Sequence, residues 1–278
     1  MYRIVTREDL TPAIHLFEVD APEVARKAQA GQFIVVRVDE TGERIPLTIA
    51  DWDRDKGTVT VVAMEVGKTT RKLATVKQGE SIANFAGPLG VPTHIDRYGT
   101  VVCVAGGFAI ATIVPIARAM KEAGNRVISI MGFRTKDLVF WEDRLRGVSD
   151  ELIVVTDDGS YGRHGVVTAP LKEMLDDEGR VNRVIAIGPT VMMKFCSLTT
   201  QPFRVDTIVS LNPIMVDGTG MCGVCRVSIG GETKFTCVDG PDFDAHLVDW
   251  DELMTRQRTY LDEEKVATEH WEHSCGRR

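Results

Sequence analysis

The sequence predicts an α/β protein extended by an all-β module, and three observations support that fold class. Residues 1–97 show short apolar runs broken by turns, residues 98–210 alternate apolar strands with helices, and residues 211–249 gather cysteine and glycine. At 278 residues with 44% hydrophobic content, the chain is long enough to bury separate cores for such modules. We therefore expect an N-terminal antiparallel barrel, a parallel-sheet domain, a small cysteine-bearing domain and a helical tail at residues 250–278.

Composition and charge narrow the compartment and the class of partner. No apolar run approaches a membrane span, and the N-terminal MYRIVTREDL carries charges without the apolar core of a signal peptide. We therefore expect a cytoplasmic protein in which the six cysteines are ligands or free thiols. The net charge of −7 and the lack of a basic block argue against nucleic acid as a partner.

The barrel is predicted from the runs IHLFEV, QFIVVRV, TVTVVAMEV and ESIANF, which turn residues separate. Within it, RIPLT places Arg44 and Thr48 on either side of a proline-stiffened strand, and GKTT at residues 67–70 resembles a helix start that could hold a phosphate. Taken alone, each motif is better explained by the ordinary alternative, a solvated strand arginine for Arg44 and a capped helix start for GKTT. GPLG at residues 87–90 predicts the turn that leaves the barrel.

The second module shows a βαβ rhythm. TVVCVAGG, RVISIMGF, ELIVVTDD and RVIAIGPT read as strands, with ATIVPIARAMKEAG and VTAPLKEMLDDEG as helices between them. In a parallel sheet, ligands sit beyond the carboxyl ends of the strands, which here are residues 105–109, 132–135, 156–159 and 188–190. The first of these, AGGFAIA, could bring backbone amides to a pyrophosphate or could be a tightly packed turn.

The most distinctive stretch is DGTGMCGVCRVSIGGETKFTCVD at residues 217–239. Plant-type two-iron clusters use the spacing C-x4-C-x2-C with a distant fourth Cys. Here an Asp stands where the first Cys would be, and as a harder ligand it should alter the potential of a cluster. A structural zinc site and three unrelated buried cysteines are alternatives, but they explain the glycines of the loop less well. The candidate ligands are Asp217, Cys222, Cys225 and Cys237.

The remaining cysteines and the C-terminal segment give weaker signals. From residue 250 onward the chain is rich in charge, which predicts a solvated terminal helix or a docking element for a partner subunit. His270, His273 and Cys275 could chelate a metal, although a flexible tail explains them better. Cys103 is expected to pack within a strand, and Cys196 is expected either to lie near the ligand cleft or to be inert.

In its order of barrel, nucleotide-type sheet and cysteine loop, the whole chain resembles the ferredoxin–NADP reductase superfamily. The resemblance is closest to the dihydroorotate dehydrogenase electron-transfer subunit and to the small subunit of NADH-dependent reduced ferredoxin:NADP oxidoreductase, also called sulfide dehydrogenase. Dihydroorotate partners would carry Cys where Asp217 stands, so one Asp with three Cys resembles the oxidoreductase subunit more. The segments VDGTGMCGVCRV and FTCVDGPDFDAH strengthen that preference.

This resemblance implies FAD, a 2Fe–2S cluster and NAD(H) as cofactors. RIPLT resembles the flavin-binding strand, without its stacking aromatic residue, and GKTT resembles the pyrophosphate motif. AGGFAIA resembles a GGGxGxAP-type nicotinamide loop, and GFRTKDLVF, TDDGSYGRHG and IGPTVMMKF resemble the other dinucleotide loops. No catalytic residue is implied. The implied FAD contacts are Arg44, Pro46, Leu47, Thr48, Gly67, Lys68, Thr69 and Thr70, and the implied NAD(H) contacts are Gly106, Gly107, Arg134, Asp157 and Gly188.

The implied function is an exchange between paired and single electrons. A nicotinamide nucleotide would exchange electrons in pairs with FAD, and the cluster would exchange them singly with a larger flavin and iron–sulfur subunit. The complex would be a ferredoxin:NADP oxidoreductase of a kind that can bifurcate electrons. Alternatives are the electron-transfer subunit of dihydroorotate dehydrogenase or of a hydrogenase or sulfide dehydrogenase, and, outside the enzymes, a redox sensor or carrier. The resemblance favours NADH, although Arg134 and Lys136 could face a 2′-phosphate or pair with Asp137 and Glu142.

Overall fold

The computed structural model describes residues 1–177 and 181–275, the last two of these by backbone alone. Its N-terminal part is a seven-stranded antiparallel sheet in the order β6-β1-β2-β5-β4-β3-β7. The strands are β1 (Tyr2–Thr11), β2 (Ile14–Asp20), β3 (Phe33–Arg37), β4 (Arg44–Asp53), β5 (Thr58–Met64), β6 (Ser81–Ile82) and β7 (Asn84–Leu89). Two short helices, α1 (Pro22–Lys27) and α2 (Lys68–Ala74), accompany them.

The two outer strands of this sheet belong to one segment of chain, because only Ala83 separates β6 from β7. β6 pairs with β1 and β7 pairs with β3, so the sheet curls until its first and last strands meet. Alternate residues such as Phe17, Ile34 and Ile49 point inward and form the barrel core. The predicted N-terminal antiparallel barrel is therefore confirmed as a curled sheet.

The second sheet has the order β11-β10-β9-β8-β12-β13-β16. Its pairings are parallel except that of β13 with β16. The strands are β8 (Thr100–Gly106), β9 (Arg126–Phe133), β10 (Glu151–Thr156), β11 (Arg163–His164), β12 (Arg183–Ile187), β13 (Asp206–Ser210) and β16 (Asp242–Asp244). The helices that accompany this sheet are α3 (Ile110–Glu122), α4 (Glu142–Gly147), α5 (Thr168–Asp176) and α6 (Thr190–Thr200).

The direction of strand addition reverses at β8. β9 and β10 extend the sheet on one side of β8, and β12 and β13 extend it on the other. β8 and β12 therefore flank a topological switch point, which is where open α/β sheets bind ligands. Both faces of β8 are buried, since Val101 and Cys103 belong to one core and Val102 to another. Cys103 thus packs within a strand, as predicted.

The barrel and the parallel sheet share a core. Ile14 and Leu16 of β2 and Val62 of β5 lie in the same buried cluster as Ile113 and Ile116 of α3. An apolar contact of this kind fixes the orientation of the two modules. The outer face of the barrel is thereby held against the helix that follows the switch-point strand.

The C-terminal part combines a hairpin, three helices and the last strand of the second sheet. β16, within the predicted cysteine-bearing domain, joins the edge of the parallel sheet through β13. Trp250 and Leu253 of α8 are buried in the second core, so α8 is not a solvated tail. α9 lies against α2, where Arg71 pairs with Glu272. The elements are β14 (Arg226–Ile229), β15 (Glu232–Phe235), α7 (Thr236–Asp239), α8 (Trp250–Arg256) and α9 (Leu261–Cys275).

Among the described residues, no helix is both long enough and apolar enough to span a bilayer.

Candidate functional site

The RIPLT motif lies on β4, next to β3. Pro46 is paired with Val35 and Thr48 with Phe33, and paired residues share a face of a sheet. The side chains of Pro46 and Thr48 therefore lie on the outer face of the barrel beside Val35 and Phe33. Leu47 packs in the barrel core instead, so its predicted flavin contact would come from its backbone.

The GKTT motif forms the start of α2, as predicted. The Thr70 hydroxyl oxygen accepts a hydrogen bond from the Gly67 amide at 3.1 Å, which caps the helix. Lys68 Nζ donates to Glu43 at 2.9 Å, and the Thr69 hydroxyl donates to the same carboxylate. Both bonds hold the pKa of Glu43 below its usual value, and the bond from Thr69 contributes more than the bond from Lys68. The side chains predicted to bind phosphate therefore converge on one anion, the Glu43 carboxylate. The sequence alone did not indicate this role for Glu43.

The predicted nicotinamide loop lies at the switch point. A Cβ on Gly188 would lie 3.1 Å from the Gly106 amide nitrogen and 2.8 Å from Met192 Cε, so the loops after β8 and β12 approach closely. Gly107 has a φ of 59°, a conformation that favours glycine. Asp157 is exposed beyond the end of β10, at the same edge of the sheet. Four predicted NAD(H) contacts thus lie along the edge where a dinucleotide would bind.

The loop after β9 carries the cations that could read a 2′-phosphate. Arg134 is exposed, and Lys136 Nζ lies 5.7 Å from the centre of the Tyr161 ring. Glu142 is engaged by Arg146 at 2.6 Å and by the Tyr161 hydroxyl at 2.9 Å. Among the described residues, neither Arg134 nor Lys136 forms the ion pair with Glu142 that was considered as an alternative.

The glycine-rich loop of the predicted cluster presses against the barrel. Gly218, Gly220 and Gly223 have φ values of 82°, 86° and 68°, as expected for a tight loop whose amides turn inward. A Cβ on Gly218 would lie 2.8 Å from Val35 Cγ2 and 3.1 Å from Leu89 Cδ1. Glycine is therefore required both by the backbone conformation and by the close approach to β3 and β7.

Two of the predicted cluster ligands lie side by side. Cys225 and Cys237 are buried in a small core that also contains Phe33 and Val35. Burial, and then the neighbouring Cys225 thiol, raise the pKa of Cys237 to about 12. When a metal binds adjacent thiols such as these, the thiols release their protons and coordinate it as thiolates. Soft sulfur donors of this kind suit iron–sulfur clusters.

The other two predicted ligands lie nearer to solvent. Cys222 is exposed, and the Asp217 carboxylate accepts a hydrogen bond from the Thr219 amide at 3.0 Å and another from the Thr219 hydroxyl. These bonds, with a smaller contribution from the Arg44 charge, lower the pKa of Asp217. No three Cys, His, Asp or Glu side chains of the described residues converge as a ready metal site. The four-ligand set remains a prediction, and Thr219 was missed.

Within the side chains that the structure describes, the remaining candidate ligands do not form a second metal site. Cys196 is fully buried on α6, and burial raises its pKa to about 12, which favours the inert alternative. His270 and His273 lie on α9, and the Cys275 side chain lies outside the described residues.

The arrangement brings the two redox motifs onto one surface. β3 is shared, because it pairs with the RIPLT strand on one edge while its outward residues Phe33 and Val35 pack against Cys225 and Cys237. The predicted flavin strand and the predicted cluster therefore lie on the same side of the barrel. Their proximity is suited to electron transfer.

Comparison with known proteins follows the same division of the chain. Residues 212–249 match the family model of the iron-sulfur cluster binding domain of dihydroorotate dehydrogenase B. The chain is 47% identical over 273 residues to a Thermotoga maritima homolog of the dihydroorotate dehydrogenase B (NAD(+)) electron transfer subunit, covering 98% of this chain and 96% of that protein. It is 50% identical over 275 residues to an uncharacterized protein in the adh 3′ region of Clostridium beijerinckii, covering 96% and 93%.

A solved structure agrees with these matches. One chain of the NADH-dependent reduced ferredoxin-NADP oxidoreductase structure, described for its insights into flavin-based electron bifurcation, has a TM-score of 0.92 and 46% identity, covering 98% of both chains. The likeness therefore extends over all the modules and is not limited to the cluster loop.

Proposed function

Because this chain belongs to the family of dihydroorotate dehydrogenase B electron transfer subunits, we propose that it carries electrons between NAD(H) and a larger flavin and iron–sulfur subunit. The predicted cofactors, FAD, a 2Fe–2S cluster and NAD(H), are supported by the family matches. When bound, FAD and the cluster would allow electrons exchanged in pairs with the nicotinamide to leave one at a time.

One observation carries the proposal: Cys225 and Cys237 pack against the outward face of β3, next to the RIPLT strand. Electron transfer requires short distances through a packed medium. Phe33 and Val35 pair with Thr48 and Pro46 of the RIPLT strand and share a buried cluster with the two cysteines, so they connect the two motifs. The barrel therefore serves both as the flavin platform and as the support of the cluster.

The side chains then have distinct roles. Lys68 and Thr69, which hold the Glu43 carboxylate in this structure, would hold a pyrophosphate of FAD. Pro46 and Thr48 would line the flavin ring on the outer face of β4. The closely packed loops at the switch point would present backbone amides to the nicotinamide nucleotide. The buried core around Cys225 would exclude water from the cluster.

Two features favour the ferredoxin:NADP oxidoreductase as the complex to which this subunit belongs. Asp217 replaces the Cys expected of dihydroorotate partners, and the oxidoreductase chain is 46% identical over nearly the whole length. In that complex, in the cytoplasm, the subunit would exchange electrons in either direction with a partner that can bifurcate them. A dihydroorotate-oxidising complex is the second candidate, which the matched family names favour.

Cofactor content and turnover test the proposal. The purified chain should show FAD absorbance and contain about two irons and two acid-labile sulfides. It should also oxidise NADH steadily with an artificial acceptor, whereas a redox sensor or carrier would not. Stoichiometric zinc without labile sulfide would show that the site holds a structural zinc ion and not an iron–sulfur cluster.

A further inference from the structure

The solvent side of the cluster loop carries exposed apolar side chains. Met221 is 87% exposed, Val216 is 50% exposed and Val238 is 43% exposed. A Cβ on Gly220 would lie 3.0 Å from Val238 Cγ1, so Val238 lies close to the glycine that precedes Met221 in the loop. We call these three residues the cluster face. Methionine is enriched at the core of protein interfaces, and an exposed apolar group beside a redox site has the composition of a contact surface.

A cavity of about 150 Å³ is lined by residues on either side of Cys225 and by residues at the end of α8. Val224 and Arg226 form one wall, and they flank Cys225 in the sequence. Arg256 and Tyr260, from α8 and the turn after it, form another. The cavity is therefore lined by the chain neighbours of one predicted cluster ligand, Cys225, whose own side chain is buried in the core with Phe33 and Val35.

The cavity is cationic. Arg256 Nη2 donates to the Val224 carbonyl at 3.1 Å, and Arg226 Nη1 donates to the Gly223 carbonyl at 3.4 Å. These bonds use only part of the five donors of each guanidinium. Within the described part of the chain, no carboxylate forms an ion pair with either arginine. Two uncompensated cations in a chain of net charge −7 leave a site for an external anion.

The walls of the cavity are fixed before any ligand binds. Gln257 Nε2 donates to the Asn212 carbonyl at 3.0 Å, and Gln257 Oε1 accepts from the Thr190 hydroxyl at 2.8 Å. α8 is anchored by the buried Trp250 and Leu253. Because Arg256 sits on an anchored helix, little conformational entropy is lost when it pairs with a ligand.

We propose that this cavity receives a carboxylate side chain of the larger electron-transfer subunit, while the cluster face packs against apolar side chains around it. The inference rests on the proposed function, since that function supplies the partner. An aspartate or glutamate side chain fits the volume, and two guanidinium groups can bind it in a fork geometry that fixes its orientation. The pair would hold the partner near the chain segment that carries Cys225.

Site-directed cross-linking tests the identity of the occupant. The native complex is isolated from cells that produce the tagged Arg256→Lys variant, which places a primary amine in the cavity. A carbodiimide should then join residue 256 to one aspartate or glutamate of the larger subunit, identified by mass spectrometry. Arg97→Lys is the control, because Arg97 is exposed but lies beside Gly124, near the amino ends of the parallel strands. A complex that cross-links through other lysines but never through residue 256 overturns the proposal.

Affinity provides a second, independent measurement. The larger subunit separated from that complex is bound to the FAD- and iron-loaded chain at several salt concentrations. Arg226→Gln with Arg256→Gln should weaken binding at low salt about tenfold and flatten the salt dependence, while Arg97→Gln should change it less than about twofold. Arg226→Gln alone keeps the Arg256 bond to the loop and should show part of the loss.

The two proposals fail in different ways. If the wild-type chain contains no FAD or iron, the proposed function is wrong. If both cofactors are present in wild type and variants but the affinity for the larger subunit is unchanged, only the carboxylate site is wrong.

Discussion

Asp217 is the residue on which the choice of complex depends. Its carboxylate is held by the amide and hydroxyl of Thr219, two residues along the same loop. A backbone hydrogen bond from Met221 also contributes to the lowered pKa of Asp217. The loop therefore holds this side chain in its charged form.

Substitution of Asp217 tests its role as a ligand. A thiolate donates more charge to iron than a carboxylate, so Asp217→Cys should keep the cluster and lower its midpoint potential by on the order of 100 mV. Asp217→Ala should lose iron or shift the spectrum. Potentiometric titration with iron analysis measures both, and Glu232→Ala, an exposed acid on the β14–β15 hairpin, is the control. An unchanged spectrum and potential in Asp217→Ala would show that Asp217 is a loop residue and not a cluster ligand.

Asp9 makes a pH-dependent contribution to stability. Its carboxylate lies 2.5 Å from His15 Nδ1 and 3.0 Å from Arg7, and the His15 hydrogen bond is the main reason that the pKa of Asp9 is lowered. A carboxyl group with a lowered pKa stabilises the fold above its ordinary pKa, and that stability is lost as the pH falls through the folded value. Because Asp9 is largely exposed, solvent screening keeps the contribution below about 1 kcal/mol.

We therefore expect Asp9→Asn to lower the free energy of unfolding at neutral pH. The deficit should shrink as the pH falls through the lowered pKa of Asp9, because the wild-type carboxyl then becomes protonated too. Urea titrations at several pH values measure it, with Glu8→Gln on the same strand as the control. A deficit that persists undiminished in acid would mean that geometry rather than charge is responsible.

At the scale of elements, the close packing of the loops after β8 and β12 gives a sharp test. Gly188→Ala would place a Cβ 2.8 Å from Met192 Cε and 3.1 Å from the Gly106 nitrogen, so the loops must separate. We expect the dissociation constant for NADH to rise by at least about tenfold, because small misplacements at a binding loop are costly. Gly147→Ala, with nothing within 4 Å of its new Cβ, is the matched control.

The outcome can be separated from a loss of fold. FAD absorbance and the thermal midpoint should change little in Gly188→Ala, since the barrel does not include this loop. Unaltered NADH binding would show that the nucleotide lies elsewhere along the sheet edge.

Most of the elements could be predicted from the sequence because their burial pattern is periodic. Apolar alternation marked the barrel strands, and continuous apolar runs marked the strands covered by helices on both faces, such as β8. β16 could not be found in this way, since Asp242–Asp244 carries two acids and pairs only with β13. α8 looked solvated because its burial rests on Trp250 and Leu253 alone.

The site was predictable in its motifs but not in its contacts. RIPLT, GKTT and the cysteine spacing follow from local sequence, whereas Glu43 meets Lys68 only through the barrel fold. The same holds for Val35, which meets Gly218 across some 180 residues. Long-range neighbours of this kind depend on tertiary packing, which periodicity does not encode.

At the scale of the whole molecule, the chain is expected to work as one subunit of a hetero-oligomer. Affinity isolation of the native protein with mass spectrometry should recover a large flavin and iron–sulfur subunit. Recovery of a dihydroorotate-oxidising subunit would move the assignment to the second candidate. A homogeneous monomer with full physiological activity would contradict the subunit assignment.

The order of the modules along the chain has a consequence for synthesis. β16 and the loop that covers Phe33 and Val35 leave the ribosome after the barrel and the parallel strands. A nascent chain that has emerged through β13 therefore displays an unpaired sheet edge and an uncovered apolar patch on β3. The covering of both surfaces is thus a late step of folding, since the residues that cover them are synthesised last.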